Sequence, residues 1–328
     1  MRPDELYAEM THIAADAGSV ERRAGALLEC LHHVLPYSAA WIAVRDPETR
    51  MHRRVGSDGD TSALARYFDL AEADEELEQL GLNRFQPPVP ASALPVPLAE
   101  TRAWGEFLLP AGINDGVAMG LFSPDGRHLG FLSLLTHDPA PRSVPYVALL
   151  AGLRPVFAHA LDRLPSFVAA ADLTADAVAG VVMTRAGRHV PLPTLPTHPL
   201  LEEGTAASAV ARRCLAAPGT AATFVSPWAG AFVRISVFDC RDEEIDHLTA
   251  LALVRPAADA RRLGRANLQL LGALVAGWDD ERIQARTGWY DVAHRASRLA
   301  SDLGFPDIGA LVQHAAEAGL HLPPPLWP

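Results

Sequence analysis

"DGVAMGLFSPDGRHLGFLSLLTH", residues 115–137, is two apolar runs held apart by Pro124-Asp125-Gly126. Proline presets one turn dihedral, aspartate can bond its own backbone and glycine accepts a positive φ, so the stretch predicts an antiparallel hairpin. Upstream, "SVERRAGALLECLHHVLP" (19–36) sets Leu27, Leu28, Leu31, Val34 and Leu35 at helical spacing and stops at Pro36, and "AAWIAVRD" (39–46) follows as a strand. Between them and the hairpin, the prolines of "QPPVPASALPVP" (86–97) exclude helix and central strand and predict a long loop. "YVALLAGLRPVFAHAL" (146–161) reads as a closing helix. Helix, strand, loop, hairpin, helix describes a sheet covered by its terminal helices, an α+β unit over residues 1–165.

After a Pro- and Ala-rich junction at 163–176, residues 176–256 repeat neither this sequence nor any internal period. They offer a hairpin at "AGVVMTRAGRHVPL", a loop at "PLPTLPTHP", a helix at "GTAASAVARRCLAA" and strands at "AATFVSP", "AFVRISVFDC" and "LTALALVRP". From Leu263 the pattern turns helical. Leu268, Leu271, Leu274 and Val275 form a stripe that ends at Gly277, and Asp279 or Asp280 can cap "ERIQART", which ends at Gly288. A third helix carries Val292, Ala296, Leu299 and Leu303 on its buried face, and "DIGALVQHAAEAG" makes a fourth. The middle pair around its glycine turn has the shape that lays a helix in the DNA major groove. "PPPLWP" is expected as an extended tail.

Composition narrows the chemistry. The 328 residues include no lysine, all 28 basic residues being arginine, so a Walker phosphate loop, a kinase phosphate clamp and a pyridoxal Schiff base are excluded. No His-Glu-x-x-His and no Gly-x-Ser-x-Gly occurs, and neither enzyme activity, cofactor nor metal is expected. A formal charge of −11 argues against a surface coated for nucleic acid and confines any DNA contact to a local patch. Cys30, Cys214 and Cys240 are odd in number and far apart, which predicts buried, reduced thiols. Adjacent His32 and His33 point about 100° apart on a helix and cannot easily clamp one metal. The acidic N-terminus is unlike a signal peptide, and no apolar run approaches the ~20 residues of a membrane span, so a cytoplasmic protein with no membrane partner is expected.

Three resemblances follow from these patterns. The element order and the "DGRHLGFLSLL" hairpin resemble a GAF domain, a sensor of small molecules or proteins; Asn83-Arg84-Phe85 is a fragment of the signature seen in cyclic-nucleotide-binding members. The β-β-α-β-β-β order of 176–256 is similar to a PAS-like fold. Residues 262–322, with Leu263, Leu271, Leu274, Gly277, Ile283, Gly288, Val292, Leu303 and Gly304 on matching positions, resemble a LuxR-type helix-turn-helix domain of the all-α tetrahelical kind. The chain departs from that family at Gly264-Arg265-Ala266-Asn267, at Arg282-Ile283-Gln284 and in a turn about two residues shorter before Val292.

The resemblance implies a DNA-binding transcriptional regulator, acting as a homodimer on double-stranded DNA and answering to a small-molecule or protein effector. Arg295, Arg298 and His294 lie on the face of the third helix away from its apolar stripe and are candidates for DNA contact, the two arginines with guanine or phosphate, with Arg286 and Arg265 as weaker candidates for phosphate. Asp291 stands at i,i+4 to Arg295, and Arg298 to Asp302, so intrahelical ion pairs are expected to compete for the arginines. The alternative is a regulatory protein that keeps the helix-turn-helix as an interaction scaffold. In the first domain, Trp41, Phe85, Trp104, Phe107 and Met119 are the large side chains expected to line an effector pocket.

Overall fold

The computed structural model describes residues 3–139, 144–215, 221–241 and 247–327. The chain forms two compact units that meet in sequence between Asp162 and Arg163.

In the first unit, helices α1 (Pro3–Ala14) and α2 (Val20–His32) precede strands β1 (Ala39–Arg45) and β2 (His52–Gly59). Helices α3 (Ser62–Phe68) and α4 (Ala73–Gln79) follow, then the two-residue strand β3 (Val89–Pro90), a π-helical turn (Ala103–Leu108), strands β4 (Asp115–Phe122) and β5 (His128–Thr136), and helix α5 (Val144–Leu161). The five strands form an antiparallel sheet in the order β2-β1-β5-β4-β3, with the expected hairpin as its β4–β5 pair. Period-two alternation divides two cores. Ala40, Ile42, Met119 and Leu132 face α1, α2 and α5, while Trp41, Ala43, Phe131 and Leu135 face α3, α4 and the π turn.

Helix α5 is 18 residues long with a mean hydropathy of 1.4, so one segment does have the length and composition to cross a membrane, contrary to expectation. Its Tyr146, Leu150, Leu153, Val156 and Phe157 are buried in the first core, which accounts for the apolar run.

The second unit begins with helix α6 (Leu164–Asp172). The 163–176 stretch is therefore no bare junction, because Leu164, Phe167 and Ala171 pack on the sheet that follows. Strands β6 (Ala179–Thr184) and β7 (His189–Pro191), helix α7 (Ala206–Cys214) and strands β8 (Ala221–Trp228), β9 (Ala231–Asp239) and β10 (Leu248–Pro256) appear in the expected order. Their antiparallel sheet runs β7-β6-β10-β9-β8. Counted from its own first strand, each sheet has the order second, first, fifth, fourth, third, so a topology recurs where the sequence shows no repeat.

Helices α8 (Ala260–Val275), α9 (Asp280–Thr287), α10 (Val292–Asp302) and α11 (Ile308–Ala318) complete the unit around Leu271, Ile283, Val292, Ala296, Leu299 and Leu311. Gly264, at φ 72° and ψ 160°, breaks α8 after its first turn. Leu303, expected in this core, is exposed: it is the last residue before Gly304 turns the chain at φ 79°, and Phe305 packs there instead. The tail is not free either. It folds through a 3₁₀ turn (Pro324–Leu326), and Trp327 donates from Nε1 to the Leu322 carbonyl (2.8 Å) with its ring 5.4 Å from that of Trp278.

These helices are docked on the edge strand β8. Val225 donates its N–H to the His321 carbonyl (2.9 Å) and Leu322 donates to that of Leu268 (2.8 Å). Val225, Ala257, Ala260, Leu268 and Leu322 are buried together between bundle and sheet. Gly272 and Gly319 permit the approach: an added Cβ would run into the Leu322 carbonyl at the first and the Thr223 side chain at the second.

Candidate functional site

The site is built around the connection from α9 to α10. Asp279 caps α9 by accepting from the Arg282 N–H (2.8 Å), and Gly288, left-handed at φ 71°, ends the helix. Asp291, left-handed at φ 53°, starts α10; aspartate tolerates that conformation better than most side chains. Two left-handed residues thus bracket Trp289 and Tyr290 in a tight turn.

Helix α10 buries Val292, Ala296, Leu299 and Ala300 and turns His294, Arg295, Ser297 and Arg298 to solvent. Three of the five sequence candidates therefore share one exposed helix face. Arg286 is exposed on the last turn of α9, and Arg265 is exposed just past the break in α8. The expected Asp291–Arg295 ion pair is absent among the described residues: Asp291, at positive φ, is the N-cap of α10 and takes the Arg295 backbone N–H on its carbonyl (3.0 Å). The Arg295 guanidinium lies instead over the Trp289 ring, 4.6 Å from its centroid. Arg298 stands 3.8 Å from Asp302, both well exposed, a pairing that constrains its arginine little. Trp289, Tyr290 (80% exposed) and the exposed Arg261 and Arg262 join this surface without having been expected there; the adjacent aromatics after Gly288 are the signal the sequence offers for them.

In the first unit, Tyr67, Phe68, Leu77, Trp104, Leu108 and Phe131 enclose a cavity of about 50 Å³. Of the five expected ligand residues, Trp104 lines it, while Trp41 and Phe107 belong to the same apolar cluster, Trp41 stacked on Phe68 at 5.7 Å. Met119 faces the opposite core, as strand alternation requires. Phe85 is 69% exposed beneath the Arg154 guanidinium, 4.1 Å away, and contributes nothing to the cavity.

Phe68 also touches a buried polar cluster, its ring 5.0 Å from that of His52. Asp74 accepts two hydrogen bonds from Arg45 (2.7 Å each), one from His52 Nε2 (3.0 Å) and one from Asn83 Nδ2 (3.0 Å). Burial alone would raise the Asp74 carboxyl, but the bonds from Arg45 and then His52 hold it well below the usual carboxylate range. An ionised carboxylate only accepts, so His52 carries its proton on Nε2, and its buried Nδ1 has no partner. Burial pushes His52 down despite Asp74. Burial, together with the nearby Arg45, pushes His128 down to about 4; its ring stacks on Phe122 at 4.6 Å. On the other face of the unit, His32 bonds Asp58 through Nδ1 (2.8 Å).

No family model and no curated protein matches the chain. Solved structures of GAF domains do resemble it. The phycocyanobilin-bound GAF domain of a cyanobacterial phytochrome aligns with 48% of this chain and 92% of its own, at 12% identity and a TM-score of 0.36. The GAF domain of a phosphoenolpyruvate-protein phosphotransferase from Coxiella burnetii covers 53% of this chain and 96% of its own, at 14% identity and 0.35. A domain of a putative two-component sensor histidine kinase from Sinorhizobium meliloti covers 47% and 98%, at 15% identity and 0.35.

Proposed function

We propose that the chain is a signal-responsive, DNA-binding regulator resembling the LuxR-type family, with α10 as the reading helix and the first unit as the GAF-like sensor. The observation that carries this reading is the uncovered face of α10: His294, Arg295 and Arg298 project from a helix whose other side is packed, with Arg295 free of the acid expected to neutralise it. Arginine's planar fork suits both guanine and phosphate. On an acidic chain this patch makes binding weak and salt-sensitive.

An effector acts by linkage, favouring the arrangement of a homodimer that presents two reading helices to a two-fold site. The cavity of about 50 Å³ is far below the volume that drug-sized ligands occupy, roughly 300–1,000 Å³. Either the effector is small and apolar, or it enters as α3, α4 and the π turn move outward. Cytoplasmic location and action without a catalytic step belong to the same reading.

Selection of bound duplexes from a random-sequence DNA pool by the full chain tests the proposal. Enrichment of one motif, lost in the Arg295→Ala/Arg298→Ala variant with unchanged melting, supports it. Absence of any enriched sequence overturns it in favour of an interaction scaffold, a reading favoured by the acids Asp291 and Asp302 at the two ends of the same helix.

A further inference from the structure

Arg295 and Arg298 are one helical turn apart on the same exposed face, yet they are held differently. Arg298 extends into solvent, with Asp302 at 3.8 Å as its ion-pair partner among the described residues. Arg295 lies on the indole of Trp289, in a turn that is anchored to its neighbours. The backbone N–H of Trp289 donates to Thr287 Oγ1 (3.2 Å), whose hydroxyl donates to the Ile283 carbonyl (2.7 Å), which ties the turn to the end of α9. The ring is partly buried against the core of the helical bundle. Gly288 and Asp291, both left-handed, fold the turn so that residue 289 lies against residue 295, which a continuous helix would not do. The shortened turn, a departure from the resembled family by sequence, is thus what brings this platform to the arginine.

A flexible arginine surrenders rotamer freedom when it binds, and a side chain already laid on an aromatic face surrenders less. Reading a base edge through two parallel N–H bonds demands a fixed guanidinium plane, whereas a phosphate contact needs only a nearby charge. We infer that Trp289 is a positioning residue that sets the guanidinium of Arg295 to read a guanine in the major groove, leaving Arg298 to bind backbone phosphate. This rests on the DNA-binding reading above and assigns its specificity.

The test uses the full chain and the duplex enriched from the random pool. Affinity is measured for that duplex and for variants with each guanine replaced, across a salt series. Arg295→Lys keeps the charge but not the fork: it is expected to keep the salt slope while discrimination at one guanine falls roughly tenfold or more. Trp289→Leu should show the same loss, and Trp289→Phe, which retains an aromatic face, should restore most of it. Arg298→Gln should lower affinity for all sequences alike and flatten the slope by about one. A merely structural role for Trp289 would lower melting and affinity without touching base preference. Should Trp289→Leu unfold, Trp289→Gln, which keeps bulk without an aromatic face, takes its place in the same measurement. Binding that depends on Arg298 but keeps full guanine preference in Arg295→Lys and Trp289→Leu overturns the inference alone; a chain that enriches no duplex overturns it together with the function it rests on.

Discussion

Asp74 gathers side chains from four separate parts of the first unit: Arg45 at the end of β1, His52 at the start of β2, its own helix α4, and Asn83 in the loop beyond. Both Asp74 and His52 are almost wholly buried, so removing the carboxylate strands a guanidinium and an imidazole away from water. Asp74→Ala is expected to cost about 3–5 kcal/mol in denaturant unfolding, the cost of breaking a buried pair from one side. A loss below about 1 kcal/mol would show that water enters the cluster freely. Histidine protonation gives the same region a pH dependence. The folded His128 sits at about 4, below its ordinary 6.5, so the unfolded chain binds more protons between those values. Stability of the first unit is therefore full above pH 6.5 and falls as pH drops toward 4, by on the order of 1–3 kcal/mol; His52 moves the same way. His128→Gln should flatten that slope, and an unchanged slope would place the titration elsewhere. None of this cluster was legible in the sequence beyond Asn83 as a motif fragment. Its members are 9 to 29 residues apart from Asp74 and only the folded sheet brings them together.

Elements were legible where a single face is apolar. Helix α2, the β4–β5 hairpin, the succession of strands and helix along the second sheet and the four last helices all follow from periodicity and turn residues, because burial of one face enforces the pattern. Strand β2, "HRRVGSDG", was missed: it is an edge strand, polar on its exposed side, and carries too little apolar alternation to register. The tail was misjudged because proline runs announce extension, while the fate of Trp327 depends on Trp278, far off in sequence. Gly272 shows the same limit in a form that can be tested. In an exposed helix interior, glycine to alanine gains up to about 1 kcal/mol. Here the added methyl would meet the Leu322 carbonyl, backbone that is already bonded to Leu268 and cannot retreat without giving up that bond. Gly272→Ala is thus expected to destabilise the second unit by about 1–3 kcal/mol, the range for overpacking a filled site. A stabilised variant would mean that the segment 319–323 is not held against α8.

At the scale of the molecule, the domains expected from sequence at 176–256 and 262–322 fall within one compact unit beginning at Arg163. Composition could not reveal this, since the contact combines a short segment after α11 with a small apolar cluster shared by α8 and the sheet side. His321 pairs with edge strand β8, Leu322 with α8, and Val225 and Ala257 of the sheet side are buried beside Leu268. The arrangement covers an edge that would otherwise present free N–H and C=O groups. It also gives α8, the helix that begins the bundle, a backbone connection to the sheet, so a change in β8 has a direct route to the bundle that carries α10. Two fragments test how far this coupling goes. Residues 163–328 should unfold in one cooperative transition reported alike by sheet and helix signals. Residues 163–258, which keep the whole second sheet but lose the cover on β8, should unfold at lower denaturant and associate at higher concentration through the exposed edge. Equal midpoints for the two fragments, or separate sheet and helix transitions in the longer one, would mean that the four-helix bundle is tethered to the sheet without being coupled to it; under the function proposed above, an effector would then have to act through dimer geometry alone.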